Sequence, residues 1–196
     1  MAEKATLHFD GKDFDFPVLT GSESEKAFDI SELRKKTGLV TLDYGYLNTG
    51  STKSNITFVD GEQGILRYRG YAIEDLAEKA TFPETAWLLI YGELPTEEQL
   101  THFRKMLTEN ALIHENLLHF FREMPPSAHP MGILSSIVNA VGLFTPRFYD
   151  DEDKEDVFNL TTAGLISKIR TIAAFTYKAS IGEPFVYPEA ERSYCS

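Results

Sequence analysis

Residues Asn55 to Ala80 read NITFVDGEQGILRYRGYAIEDLAEKA, and the reading of this stretch decides the fold. Two short apolar-rich runs, Ile56-Thr57-Phe58-Val59 and Ile65-Leu66-Arg67-Tyr68-Arg69, flank Asp60-Gly61-Glu62-Gln63-Gly64. Glycine reaches positive φ without steric cost, so a link with two glycines predicts a hairpin. After Gly70 the period changes: Ile73, Leu76 and Ala77 stand three and four apart, the spacing of a helix face. A β-rich beginning therefore gives way to helices near residue 70. Arg67 and Arg69 are two apart, which in a strand places both guanidinium groups on one face. They suit a carboxylate or phosphate, or alternatively ion pairs with some of the 30 acidic residues.

Working outward, residues 4–18 alternate around Asp10-Gly11-Lys12, with Leu7, Phe9, Phe14 and Phe16 apolar, a second hairpin signal. Asp29 to Arg34 suits a single helical turn, Gly38 to Asp43 is strand-like, and Tyr44 to Ser54 is an irregular connection. Downstream, Pro83 fits a first helical turn and Gly92 a left-handed C-terminal position. Thr96-Glu97-Glu98-Gln99 matches a capping box, starting a helix with Leu100, Phe103 and Leu107 on one face. Ile113, Leu117 and Phe121 form a similar stripe, on a helix that stops before Pro125-Pro126. His129-Pro130 starts an apolar helix ended by Thr145-Pro146, with Ser135, Ser136 and Asn139 on one stripe. Asp150 to Asp156 reads as a solvated acidic loop before a helix from about Val157 to Ser180, broken by Gly182 and Pro184.

The fold class is mainly α: a multi-helical portion, residues 71–196, preceded by a small β-rich N-terminal segment, residues 1–70, with hairpins. With 196 residues, 42% of them hydrophobic, the chain can bury a core. Its net charge of −11 argues against nucleic-acid and anionic-membrane partners, because phosphate repels such a surface. The single cysteine, Cys195, excludes an internal disulfide framework and a multi-cysteine metal site. The N-terminus lacks the apolar core of a signal peptide, so a cytoplasmic location is expected.

A search for chemistry finds little. His114-Glu115 with His119 resembles a zinc helix, but histidines five apart point about 140° from each other and cannot hold one ion. His129 before Pro130 reads as a helix cap or buried hydrogen-bonded group. Cys195 lies in a polar tail without a neighbouring base. No GxSxG, GxGxxG or Walker loop occurs. No residue is assigned a catalytic, cofactor-binding or metal-binding role.

Five segments carry a resemblance. Ile56-Thr57-Phe58-Val59-Asp60-Gly61, Gly64 to Tyr71, Leu89 to Thr96, Ala128-His129-Pro130-Met131 and Ser180 to Pro188 resemble citrate synthase, in that family's order and at its spacing. The β-rich start is similar to the bacterial type that assembles into hexamers. The resemblance implies an acyltransferase of the tricarboxylic acid cycle. It condenses acetyl-CoA with oxaloacetate to citrate as a homo-oligomer (dimer or hexamer), without metal or prosthetic group. It also implies that the catalytic histidines, aspartate and substrate arginines fall in the C-terminal part of the family, beyond Ser196. The chain is then expected to be an inactive N-terminal fragment, with the remainder of the enzyme absent and Arg67 and Arg69 structural. A 2-methylcitrate synthase using propionyl-CoA, or a non-enzymatic assembly module on the same fold, remains open. Some bacterial members bind NADH through an Arg-His-Thr run. Here Glu109-Asn110-Ala111 stands at that place, with Lys168 matching a basic residue of the pocket and Gly164 replacing an arginine. An acidic residue there implies weak or absent NADH inhibition of the full-length enzyme.

Overall fold

The computed structural model describes residues 3–145 and 154–195, with residues 154–157 described by their backbone alone. It divides into two compact units, Met1–Ser54 and Asn55–Ser196. In the first, β1 (Lys4–Phe9), β2 (Lys12–Thr20) and β3 (Lys26–Phe28) form an antiparallel sheet in the order β1-β2-β3. Asp10 and Gly11, at φ 49° and 68°, make the two-residue turn whose twist matches the paired strands. Phe16 is the sheet's buried anchor, with the Lys36 ammonium 5.3 Å from its ring centroid.

Two expectations fail in this unit. The predicted turn at Asp29 to Arg34 is displaced to α1 (Leu33–Thr37). Asp29 accepts the Ser31 backbone N–H at 2.8 Å, and this Asx turn holds the preceding residues out of the helix. The strand expected at Gly38 to Asp43 does not form. Asp43 instead accepts from the backbone N–H groups of Leu47 (3.2 Å) and Asn48 (2.9 Å) and from the Thr49 hydroxyl (2.5 Å). With Gly45 and Tyr46 at φ 80° and 57°, the chain curls into a closed turn with no ladder to join. Val40 and Leu42 are left 71% and 79% exposed.

In the second unit, β4 (Thr57–Asp60) and β5 (Ile65–Tyr68) pair antiparallel as the opening stretch implies, and β6 (Tyr71–Ala72) adds to β5. Asp60 fastens the turn by accepting from the backbone of Glu62 and Gln63, at 3.0 and 2.9 Å. Then come α2 (Ile73–Lys79), α3 (Phe82–Tyr91) and α4 (Glu97–Glu109). A 3-10 turn (Glu115–Leu117) leads directly into α5 (Leu118–Glu123), followed by α6 (Pro130–Leu143) and α7 (Lys154–Ser180). Thr96 and Gln99 form the expected capping box, with reciprocal bonds of 3.3 and 2.8 Å. Gly92, at φ 94°, ends α3.

The core lies where α5, α6 and α7 meet. Leu117, Leu118, Phe121, Ile133, Ile137, Val141, Ile172 and Phe175 are buried together. Phe185, past the end of α7, stacks on Phe175 with centroids 4.7 Å apart. Full burial of one such side chain contributes about 1.5–3 kcal/mol. A second cluster joins Phe103 and Leu107 of α4 to Ala163 of α7. The helix expected to carry Ile113, Leu117 and Phe121 is broken: Ile113 precedes the 3-10 turn, and only Leu117 and Phe121 are fully buried. The Ser135, Ser136 and Asn139 stripe of α6 faces outward, and Ser136 and Asn139 donate to the carbonyls four residues back. The acidic run's residues 150–153, and Pro146, lie outside the described residues, and α7 begins at Lys154 rather than Val157. No described helix is long and apolar enough to cross a membrane.

Candidate functional site

The arginine pair of the opening stretch does not form a shared face. Arg67 lies in β5 opposite Phe58, but the strand ends at Tyr68 and Arg69 adopts φ 51°. That left-handed turn swings Arg69 away. Its Nη2 donates to the Leu89 carbonyl at 2.9 Å and its Nη1 to the Asn55 carbonyl at 3.5 Å. Leu89 belongs to the last turn of α3, whose carbonyls lack helical partners and carry the negative end of the dipole. Arg69 therefore ties the base of the hairpin to the end of α3, and an anion held by the two guanidinium groups together has no geometric support.

A denser polar cluster lies where α7 crosses the end of α4. Ser167 donates its hydroxyl to the Leu107 carbonyl, Lys168 its ammonium to the Asn110 carbonyl at 2.7 Å, and Thr171 its hydroxyl to the Ala111 carbonyl at 2.7 Å. Asn110 adds a bond from its own side chain to the Met106 carbonyl at 2.8 Å. Lys168 is only 9% exposed, and burial lowers its pKa below the ordinary lysine value. The lysine that the resemblance assigns to a nucleotide pocket is thus spent here as a cap on α4, and Gly164 is buried one turn before it. Ser167 and Thr171 escaped the sequence reading. Their signal was present as polar residues four apart on an otherwise apolar helix face.

A concave feature of about 680 Å³ lies between α3, α4, α7 and the segment after Pro188. Thr81, Arg104, Thr108, Arg170 and Arg192 contribute to its lining. Tyr194 closes one side. Its ring stacks on Phe82 at 4.4 Å, lies 4.9 Å from the Arg170 guanidinium, and donates its hydroxyl to the Ile166 carbonyl at 2.6 Å. Burial raises the Tyr194 pKa above the ordinary phenol range. Its arginines are engaged, Arg192 with the Glu189 carboxylate and Arg170 with the Tyr194 carbonyl, Glu191 also lines it, and acid–base chemistry needs a group poised near neutrality. The carboxylates with displaced pKa values (Asp15, Asp29, Glu32, Asp43 and Glu84) all move down, chiefly through hydrogen bonds from Thr6, Ser31, Lys36, Thr49 and Thr81 respectively. Such groups stay ionised and make poor proton donors. Among the described residues no group of three His, Cys, Asp or Glu side chains is placed to hold a metal ion. His114 and His129 both act as helix caps, and Cys195 is exposed.

Comparison with known proteins gives this helical arrangement a family. The family described as "Citrate synthase, C-terminal domain" matches residues 45–196. "Citrate synthase 1" of Mycobacterium tuberculosis, in strains CDC 1551 and H37Rv, is 44% identical over 187 residues, covering 95% of this chain and 43% of its own length. The crystal structure of citrate synthase from Thermotoga maritima superposes with a TM-score of 0.66 at 28% identity, over 79% of this chain and 39% of that one. The Thermoplasma acidophilum enzyme, in ternary complex with carboxymethyl coenzyme A and oxaloacetate, gives 0.67 at 26% identity, over 75% and 38%. The fold and its polar clusters define a mainly helical scaffold of the all-α type. The chain belongs to the citrate synthase family. It spans less than half the length of the curated relatives it matches.

Proposed function

We propose that the protein condenses acetyl-CoA with oxaloacetate to give citrate and CoA, an acyl transfer of the tricarboxylic acid cycle. This chain then supplies scaffold rather than reacting groups. The observation that carries the reading is the 44% identity to a citrate synthase across 95% of the chain. The archaeal relative bound to carboxymethyl coenzyme A and oxaloacetate supports the substrate class. The reaction requires a base to form the enol of the thioester and fixed cations for the substrate carboxylates. In the chain itself the described polar clusters point at backbone carbonyls, which fits a scaffold role. We further propose that it works without metal or prosthetic group, as a homo-oligomer of two or six copies, in the cytoplasm.

The test is release of free CoA thiol on mixing the full-length protein with acetyl-CoA and oxaloacetate. Oxaloacetate-dependent release is the expected result, and the 196-residue chain alone should give none. Faster turnover of propionyl-CoA would replace the reading with 2-methylcitrate synthase. No release from either thioester would leave a non-enzymatic assembly module. NADH should inhibit weakly, since Lys168 already serves Asn110 and Glu109 repels a pyrophosphate. Micromolar inhibition in a titration would contradict this.

A further inference from the structure

Helix α6 and the 3-10 turn that leads into α5 begin on the same device. His129, the N-cap of α6, has φ −65° and ψ 128°, and its Nδ1 accepts the Met131 backbone N–H at 3.2 Å. Its carbonyl accepts from Gly132 at 2.9 Å. His114, the N-cap of the 3-10 turn, has φ −63° and ψ 136°, and its Nδ1 accepts the Asn116 N–H at 3.1 Å. Its carbonyl accepts from Leu117, also at 2.9 Å. The His114 ring further packs on Phe144, just past α6, with centroids 4.8 Å apart. The two caps therefore start the two helical pieces of the segment 114–144, which supplies most of the core.

A ring nitrogen accepts only while it carries no proton. Both imidazoles must be neutral, with hydrogen on Nε2. Protonation at Nδ1 turns each acceptor into a donor facing a backbone donor, and sets a cation at the positive end of a helix. Compensation would need a nearby carboxylate. The charged or titratable groups on the adjoining elements are Glu115, then His119, Arg122 and Glu123 of α5, and, among the described side chains of α7, Lys168, Arg170, Tyr177 and Lys178. Helix α6 has none. Lys168 serves Asn110, Arg170 serves Tyr194 and Lys178 pairs with Glu183. Among the described residues neither capping ring forms an ion pair with Glu115 or Glu123, whereas His8 does with Asp13.

We propose that His114 and His129 form a paired acid-sensitive latch, holding the 3-10 turn that leads into α5, and α6 itself, capped while their rings are unprotonated and releasing both on protonation. The stabilisation requires an unprotonated Nδ1 on each ring and is lost when that nitrogen takes up a proton. The test is hydrogen exchange of the full-length protein, read by mass spectrometry at residues 115–119 and 131–134 and corrected for the intrinsic rate. Asparagine keeps an acceptor of the same reach that does not titrate. Between about pH 7.5 and 5.5, protection in the wild type should fall roughly tenfold more than in H114N/H129N, the size of one lost cap. Each single variant should flatten only its own segment. Equal pH dependence in wild type and double variant would overturn the latch. Should the variants fail to fold, 15N spectra of the wild-type histidines decide: both rings protonated on Nε2 support it, and an Nδ1-protonated neutral ring at either position rejects it.

Discussion

At the scale of single residues, two cations that looked like ligand groups, Arg69 and Lys168, are occupied by helix-end carbonyls. Arg69→Ala removes the bond to Leu89 and should cost about 1–2 kcal/mol in denaturant unfolding. Arg69→Gly should cost less, because φ 51° strains any residue with a Cβ. A larger loss for glycine than for alanine would show that the turn carries no strain. Lys168→Met orphans the Asn110 carbonyl and should cost about 1–3 kcal/mol. The pH dependence has a definite sign. Burial lowers the Lys168 pKa, so the folded state binds fewer protons, and stability rises with pH from the folded value toward that of free lysine. The methionine variant should lack that alkaline rise.

At the scale of elements, several features decided by three or four neighbouring residues were legible in the sequence, although the Asx turn at Asp29 that displaces α1 was not. The capping box at Thr96 and Gln99, the hairpin around Asp60 to Gly64, the left-handed Gly92 and the cap at His129 all stand as read. Thr81 and Glu84 repeat the box spacing, and the Glu84 carboxylate accepts the Thr81 backbone N–H at 2.7 Å. Its pKa is lowered, first by the Thr81 hydroxyl, so its stabilisation is present above the ordinary glutamate value and lost as pH falls through the folded one. Glu84→Ala should cost about 1 kcal/mol and flatten that acid limb in thermal melts taken across pH. Gly38 to Asp43 was misread because alternation alone cannot show whether a partner strand exists. The Arg67–Arg69 face was misread because strand period was carried one residue past the strand's end at Tyr68. The α4–α7 cluster was missed for a different reason: Ser167 and Thr171 stand out as polar residues on an apolar helix face, but their partners are backbone carbonyls, which have no sequence signature.

At the scale of the whole molecule, stability concentrates where α5, α6 and α7 meet, so Phe175→Ala should cost about 3–5 kcal/mol by leaving a cavity against Phe121 and Phe185. That loss would be read from the chemical denaturation midpoint. The Ser167, Lys168 and Thr171 bonds also have a consequence in time. They join residues 60, 58 and 60 positions apart, whereas the hairpin and the capping boxes close within a few residues. Chain entropy delays contacts of long sequence separation until shorter loops have closed. The crossing of α7 over α4 should then be absent from the rate-limiting barrier to folding. In stopped-flow measurements Lys168→Met should leave the folding rate nearly unchanged and speed unfolding by almost its full effect on stability. The cluster thus acts as a brake on unfolding, setting how long a folded molecule survives rather than how quickly it forms.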